Sequence, residues 1–131
     1  MSFNKAYGAI ALTAALLSGF VPAENVPELT KMKTTAYCLQ GKTYTESDVR
    51  NGICATGNKN LLGKTVVLYK RLPDNKIGDF IGIYEVEDTG CSQYVIDVWC
   101  ADLDSCQEYM DLVYEEGCGG NVWVQVVEGK G

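Results

Sequence analysis

Two aspartates have the best claim to chemistry in this chain. Asp97 lies inside the apolar run Val95-Ile96-Asp97-Val98-Trp99. By strand alternation it shares a face with Val95 and Trp99, while Ile96 and Val98 take the other. A strand carboxylate beside a Trp is partly desolvated, which raises its pKa toward that of a working general acid. The plainer account is a solvent-facing strand residue. Asp88 ends the run Glu85-Val86-Glu87-Asp88 and enters Thr89-Gly90-Cys91; its plainer account is an Asx-turn, with the carboxylate holding nearby backbone N–H groups. The chain has no histidine, which excludes Ser-His-Asp and Cys-His catalysis, HExxH zinc sites and imidazole pH switches. Proton transfer therefore falls mainly to carboxylates, with Lys, Tyr and Cys as lesser candidates.

The elements that must position these aspartates read mainly as strands. Lys33-Thr34-Thr35-Ala36-Tyr37 alternates, Thr65 to Tyr69 is β-branched and aromatic, and Phe80 to Val86, Val95 to Trp99 and Val122 to Val127 continue the pattern. Gly63-Lys64 and Pro73-Asp74-Asn75 are turn chemistry between them. Short strands at such spacing predict a closed all-β barrel or a sandwich. One helix is predicted from Leu103, with Cys106, Met110 and Val113 at helical spacing. Asp102 or Asp104 is its candidate cap, Ser105 to Glu108 a candidate capping box and Gly117 its stop. Glu108, Asp111 and Glu115 read as its solvated face.

A chain of 131 residues suits one domain. Lys5, the apolar run from Ala9 to Leu17 and Val21-Pro22-Ala23 describe a secretory signal over 1–23; a retained anchor helix is the alternative. Residues 24–32 read as a leader and 33–131 as the domain. Export places Cys38, Cys54, Cys91, Cys100, Cys106 and Cys118 in an oxidising compartment, and an even number of cysteines predicts disulfides, with free buried thiols as the alternative. Sequence cannot choose the pairing, and with no CxxC pair and no histidine a metal site is not expected. From 24 to 73 there are eight basic and four acidic residues, and beyond that two basic and thirteen acidic. The acidic total argues against nucleic acid and anionic lipid as partners, and a neutral or cationic polymer fits better.

Residues 33–127 resemble the 3D domain, a secreted bacterial module named for its three aspartates and related to the C-terminal part of membrane-bound lytic transglycosylase A and to stationary-phase muralytic proteins. The resemblance rests on Lys33-Thr34-Thr35-Ala36-Tyr37-Cys38, Gly41-Lys42-Thr43, Leu62-Gly63-Lys64-Thr65-Val66, Glu87-Asp88-Thr89-Gly90, Ile96-Asp97-Val98-Trp99 and the final Val-Trp-Val-Gln-Val strand. It implies a mainly β fold, a six-stranded double-psi β-barrel with one short helix near the C-terminus, binding peptidoglycan in a groove. It further implies an extracytoplasmic, wall-associated monomer that needs no cofactor and cleaves the MurNAc–GlcNAc β-1,4 bond without water to leave a 1,6-anhydro sugar. Asp97 takes the place of the catalytic acid/base and Asp88 that of the DTG aspartate which orients it.

The chain departs from the family pattern at two points. Thr56 stands where the first family aspartate belongs, and the loop after Gly90 is replaced by the shorter Cys91-Ser92-Gln93-Tyr94-Val95. Candidate substrate contacts are Thr89, Gly90, Tyr94, Trp99 and Thr56. Tyr37, Tyr94, Trp99 and Trp123 could each stack on sugar or simply pack. Two other readings stay open: a glycan-binding module that has lost turnover, and a disulfide-stabilised interaction protein.

Overall fold

A computed structural model describes residues 28–127. The expected signal over 1–23 and the start of the leader lie outside the described residues. Among the described residues, six strands and one α-helix make a mainly β fold: β1 (Leu29–Tyr37), β2 (Ile53–Ala55), β3 (Thr65–Arg71), β4 (Ile77–Asp88), β5 (Val95–Trp99), α1 (Leu103–Tyr114) and β6 (Asn121–Val127). Hydrogen-bonded neighbours run β1-β5-β2-β4-β3-β6, and β6 pairs back with β1, so the sheet closes on itself. The β1/β5 and β2/β4 pairs are parallel and the others antiparallel.

Alternation explains the interior. Val66 and Leu68 of β3, Val86 of β4, Ile96 and Val98 of β5, and Val122 and Val124 of β6 form one buried cluster. Such β-branched and apolar side chains suit a pleated surface packed on one side. Helix α1 adds Tyr109 and Val113 to the cluster. Thr34 is buried there too and is satisfied twice: its hydroxyl donates to the Ile96 carbonyl at 2.8 Å and is bonded to the Tyr109 hydroxyl.

Four local outcomes differ from the sequence expectation. β1 begins at Leu29, inside the expected leader, because Leu29 to Lys33 pair with Gln125 to Asn121 and Met32 is buried. β2 has no counterpart among the expected strands. Its three residues are all buried, so they show none of the alternation that marks a half-exposed strand. Helix α1 takes Asp102 as its cap, whose Oδ1 accepts from Ser105 N–H at 2.8 Å. Ser105 therefore sits inside the first turn and does not start a capping box. Glu115 is exposed as expected but lies past the end of the helix, at its C-cap; its carboxylate and that of the exposed Glu116 lie 3.0 and 3.6 Å from the Nζ of Lys70, a side chain sunk into the sheet. Glu116 adopts φ 58° there, which permits the tight return.

Candidate active site

Strand register brings the two aspartates onto one line. Thr35 of β1 is opposite Asp97 of β5, Asp97 is opposite Ala55 of β2, and Ala55 is opposite Asp88 of β4. Directly opposed residues point to the same side of a sheet, so all four project outward, away from the cluster that holds Cys54, Val86 and Val98. A bulge fixes the last position. Cys54 pairs with Val86 and Ala55 with Asp88, so Glu87 is the extra residue and Asp88 occupies the register beside Ala55. The aspartate backbones stand two strand spacings apart, roughly 10 Å, with Ala55 at the register position between them.

The carboxylates are held differently. Asp88 Oδ1 accepts from the N–H groups of Tyr44 (3.0 Å) and Thr89 (2.9 Å), and its Oδ2 accepts from the Tyr37 hydroxyl at 3.2 Å. Its bond to the N–H of the very next residue is not the two-residue reach of the expected Asx-turn, and Tyr44 adds a second chain segment. Asp97 accepts one hydrogen bond among the described residues, from the Thr35 hydroxyl to Oδ1 at 2.8 Å. Burial raises the Asp97 pKa above the ordinary carboxylate value, the Thr35 bond opposes that, and the Asp88 charge adds to the rise. Tyr37 is raised well above an ordinary phenol by burial, then by the charge and hydrogen bond of Asp88, and by Asp97, so it remains a donor. Glu87 behaves in the opposite way: burial opposes its charge, but bonds from Ser47 and Arg50 hold its carboxyl below the ordinary range. A half-buried carboxyl with one free oxygen beside a fixed carboxylate can act as an acid and then as a base.

Loops cover this face from two directions. Residues 38–50 cross it, with Tyr44 N–H on Asp88 and the Leu39 carbonyl accepting from the Trp99 indole at 2.8 Å. On the other side, Gly57 N–H donates to the Ser92 carbonyl at 3.2 Å. A Cβ at Gly57 would lie 2.1 Å from the Cys91 carbonyl oxygen, so the 91–93 loop can approach only a glycine.

The candidate substrate contacts separate. Tyr94 is 66% exposed on the short loop, Gly90 is exposed in a left-handed turn at φ 115°, and Thr89 uses its N–H on Asp88. Trp99 is buried with its indole satisfied, in a packing role. Thr56 is 0% exposed; its N–H donates to the Asp88 carbonyl and its hydroxyl accepts from Asn58 N–H. Thr56 thus supports Asp88 from behind the face. Two cavities flank the region, one of about 410 Å³ along Trp99, Tyr84 and Tyr109, and one of about 140 Å³ between Tyr94, Gln93 and Val124. Neither is lined by Asp88 or Asp97.

Sequence reasoning missed Thr35 as a partner of Asp97 and Tyr37 as a partner of Asp88. The parallel β1/β5 register reveals the first; the second joins β1 to β4, which are not paired strands, and only the tertiary structure shows it. The six cysteines that are candidates for disulfides stand as free thiols in this structure. Among the described residues, no group of three or more His, Cys, Asp or Glu side chains is arranged to hold a metal ion, and no helix is long and apolar enough to cross a membrane. Compared with known proteins, the chain matches no family model and no curated sequence.

Proposed function

We propose that this protein is an exported, wall-associated enzyme that cleaves peptidoglycan as a lytic transglycosylase, and that its closed sheet is the double-psi β-barrel of the 3D-type domain. The carrying observation is the unequal treatment of the two carboxyls: Asp97 is desolvated and singly bonded, while Asp88 is bonded three times. Protonated Asp97 donates its proton to the glycosidic oxygen as the C1–O bond breaks. The resulting carboxylate then accepts the proton of the sugar's own 6-hydroxyl as that oxygen bonds to C1, closing the 1,6-anhydro ring and restoring the acid. No water is consumed, which distinguishes the reaction from hydrolysis by a second carboxylate. Asp88 contributes a negative charge that favours the protonated form of Asp97, and the Tyr37 hydroxyl and the N–H groups of Tyr44 and Thr89 hold it in place. Tyr94 supplies an exposed aromatic face for a sugar ring.

The second reading is a wall-binding module without turnover, acting through the same face. It is favoured by Thr56, which replaces a family aspartate with a buried hydroxyl, and by the two cavities that bypass both aspartates. One experiment separates the readings. Sacculi are incubated with wild type and Asp97→Asn, and the released muropeptides are read by mass spectrometry. Anhydro-muropeptides from wild type, reduced about 100-fold or more in the variant, are expected for loss of a general acid. Binding of wild type to sacculi with no release would establish the binding module, and equal release by both proteins would remove Asp97 from the mechanism.

A further inference from the structure

Three cysteines distant in sequence meet at one end of the parallel β1/β5 pair. Tyr37 is opposite Trp99, and Cys100 N–H donates to the Tyr37 carbonyl at 2.8 Å. Cys38 and Cys100 therefore leave neighbouring strands side by side. Helix α1 starts three residues later. Its cap residue Asp102 accepts Ser105 N–H on its side chain and Cys106 N–H on its carbonyl at 3.1 Å, which turns Cys106 back onto the strand ends. The Cys106 thiol thus has the Cys100 and Cys38 thiols as neighbours.

The remaining cysteines are placed otherwise. Cys54 is inside the sheet. Cys91 has its Sγ 3.7 Å from the Ala55 and Val95 carbonyls, next to Asp97. Cys118 is buried beside Lys70, Glu115 and Glu116, with no cysteine among its charged or thiol neighbours. The even cysteine count therefore does not translate into three pairs.

We propose that Cys38, Cys100 and Cys106 form an oxidation site that carries one disulfide per chain, from Cys106 to either Cys100 or Cys38, with the third thiol placed to exchange into it. The co-reactant is a small-molecule disulfide. One protein thiolate attacks it and releases one thiolate, and a second protein thiolate then attacks the mixed disulfide and releases the other. Two protein thiols are oxidised, one external disulfide is reduced, and the two protons pass to the released thiolates. Burial pushes the Cys100 thiol up to about 12, with Cys106 and Cys38 adding to the rise, so Cys100 is a weak attacking group and oxidation proceeds over minutes to hours. The bond would tie the first turn of α1 to the strand ends that carry Tyr37 and Trp99, and it does not depend on the wall-cleaving function.

The test uses the purified full chain, folded, in buffer rich in oxidised glutathione. Free thiols are alkylated, the protein is cut at acidic residues without reduction (Asp102 and Asp104 separate Cys100 from Cys106), and cross-linked peptides are read by mass spectrometry. Expected are a link from Cys106 to Cys100 or Cys38, the loss of two alkylatable thiols from the trio, and a Cys100–Cys106 link alone in Cys38→Ser. Full alkylation of all three cysteines in wild type would overturn the proposal. So would a principal link from Cys106 to Cys54, Cys91 or Cys118, or a Cys38–Cys100 link that leaves Cys106 alkylatable.

Discussion

On one side of the closed sheet the outward faces of β3, β4 and β6 carry an apolar cluster. Val67 and Tyr69 are each 1% exposed beneath Phe80, Ile83, Trp123 and Val127. Tyr69 meets Phe80 edge-on at 6.2 Å and donates its hydroxyl to Gln125 Oε1 at 3.1 Å. The Trp123 ring lies between Lys31 and Arg71, at 5.7 and 5.6 Å, and its indole donates to the Asn75 carbonyl. On the opposite side, the outward line is Thr35, Asp97, Ala55 and Asp88, covered by polar loop backbone. Both sides follow the same alternation. Apolar cover on the first stabilises the sheet by roughly 25 cal/mol for each Å² of apolar surface withdrawn from water. Cover on the second desolvates charge, which opposes stability unless hydrogen bonds offset it. Asp88 has that offset threefold and Asp97 has it once, so Asp97 is the position where stability is given up and reactivity gained.

If stability resides on the apolar side, Tyr69→Ala is expected to have the largest effect, about 4 kcal/mol of lost unfolding free energy, read by urea titration. A loss below about 1 kcal/mol would dissolve the contrast between the two sides. Gly57→Ala comes next. Its methyl meets backbone rather than a flexible side chain, so the 91–93 loop must shift, at about 2–3 kcal/mol. Chemical denaturation measures the loss, and a fully stable Gly57→Ala protein would show that the loop over the aspartate side is loosely held.

The smallest effect and the sharpest sign belong to Asp97→Asn. The folded-state pKa of Asp97 is raised, so the folded protein holds this proton more tightly than the unfolded chain does. Below the ordinary value, about 4, both states are protonated and the residue carries no penalty. As pH rises from there through the raised folded value, the wild type loses stability, and the loss stays constant above it. Asn at 97 has no such loss and still accepts from Thr35. The variant is therefore expected to gain stability relative to wild type between about pH 3 and pH 7, measured by denaturation at both values. A relative loss over that interval would mean that the Asp97 charge is favourably paired in the folded state.

Much of this arrangement was readable along the chain. The runs around Val66, Ile83, Ile96 and Val124 are strands where alternation placed them, Asp102 caps the helix, and Asp88 closes a strand with its carboxylate on nearby backbone N–H groups. Asp97 was separable from its apolar neighbours by the same alternation. The strand at Ile53–Ala55 was not, because three fully buried residues have no period to detect. The cysteine count could not name partners for a related reason: parity says nothing about which thiols become neighbours.

By itself, then, the sequence determined the histidine-free, carboxylate-centred chemistry open to this chain, the strand and helix periods, and the side of β5 on which Asp97 lies. These are properties of residues adjacent in the chain. The tertiary structure alone decided that Ala55 would separate the two aspartates, that the bulge at Glu87 would bring Asp88 into line, that Tyr37 and Thr35 would bond them, and that Cys38, Cys100 and Cys106 would converge. Each depends on register between segments dozens of residues apart, which is set by the collective packing of the interior and by the closure of the sheet.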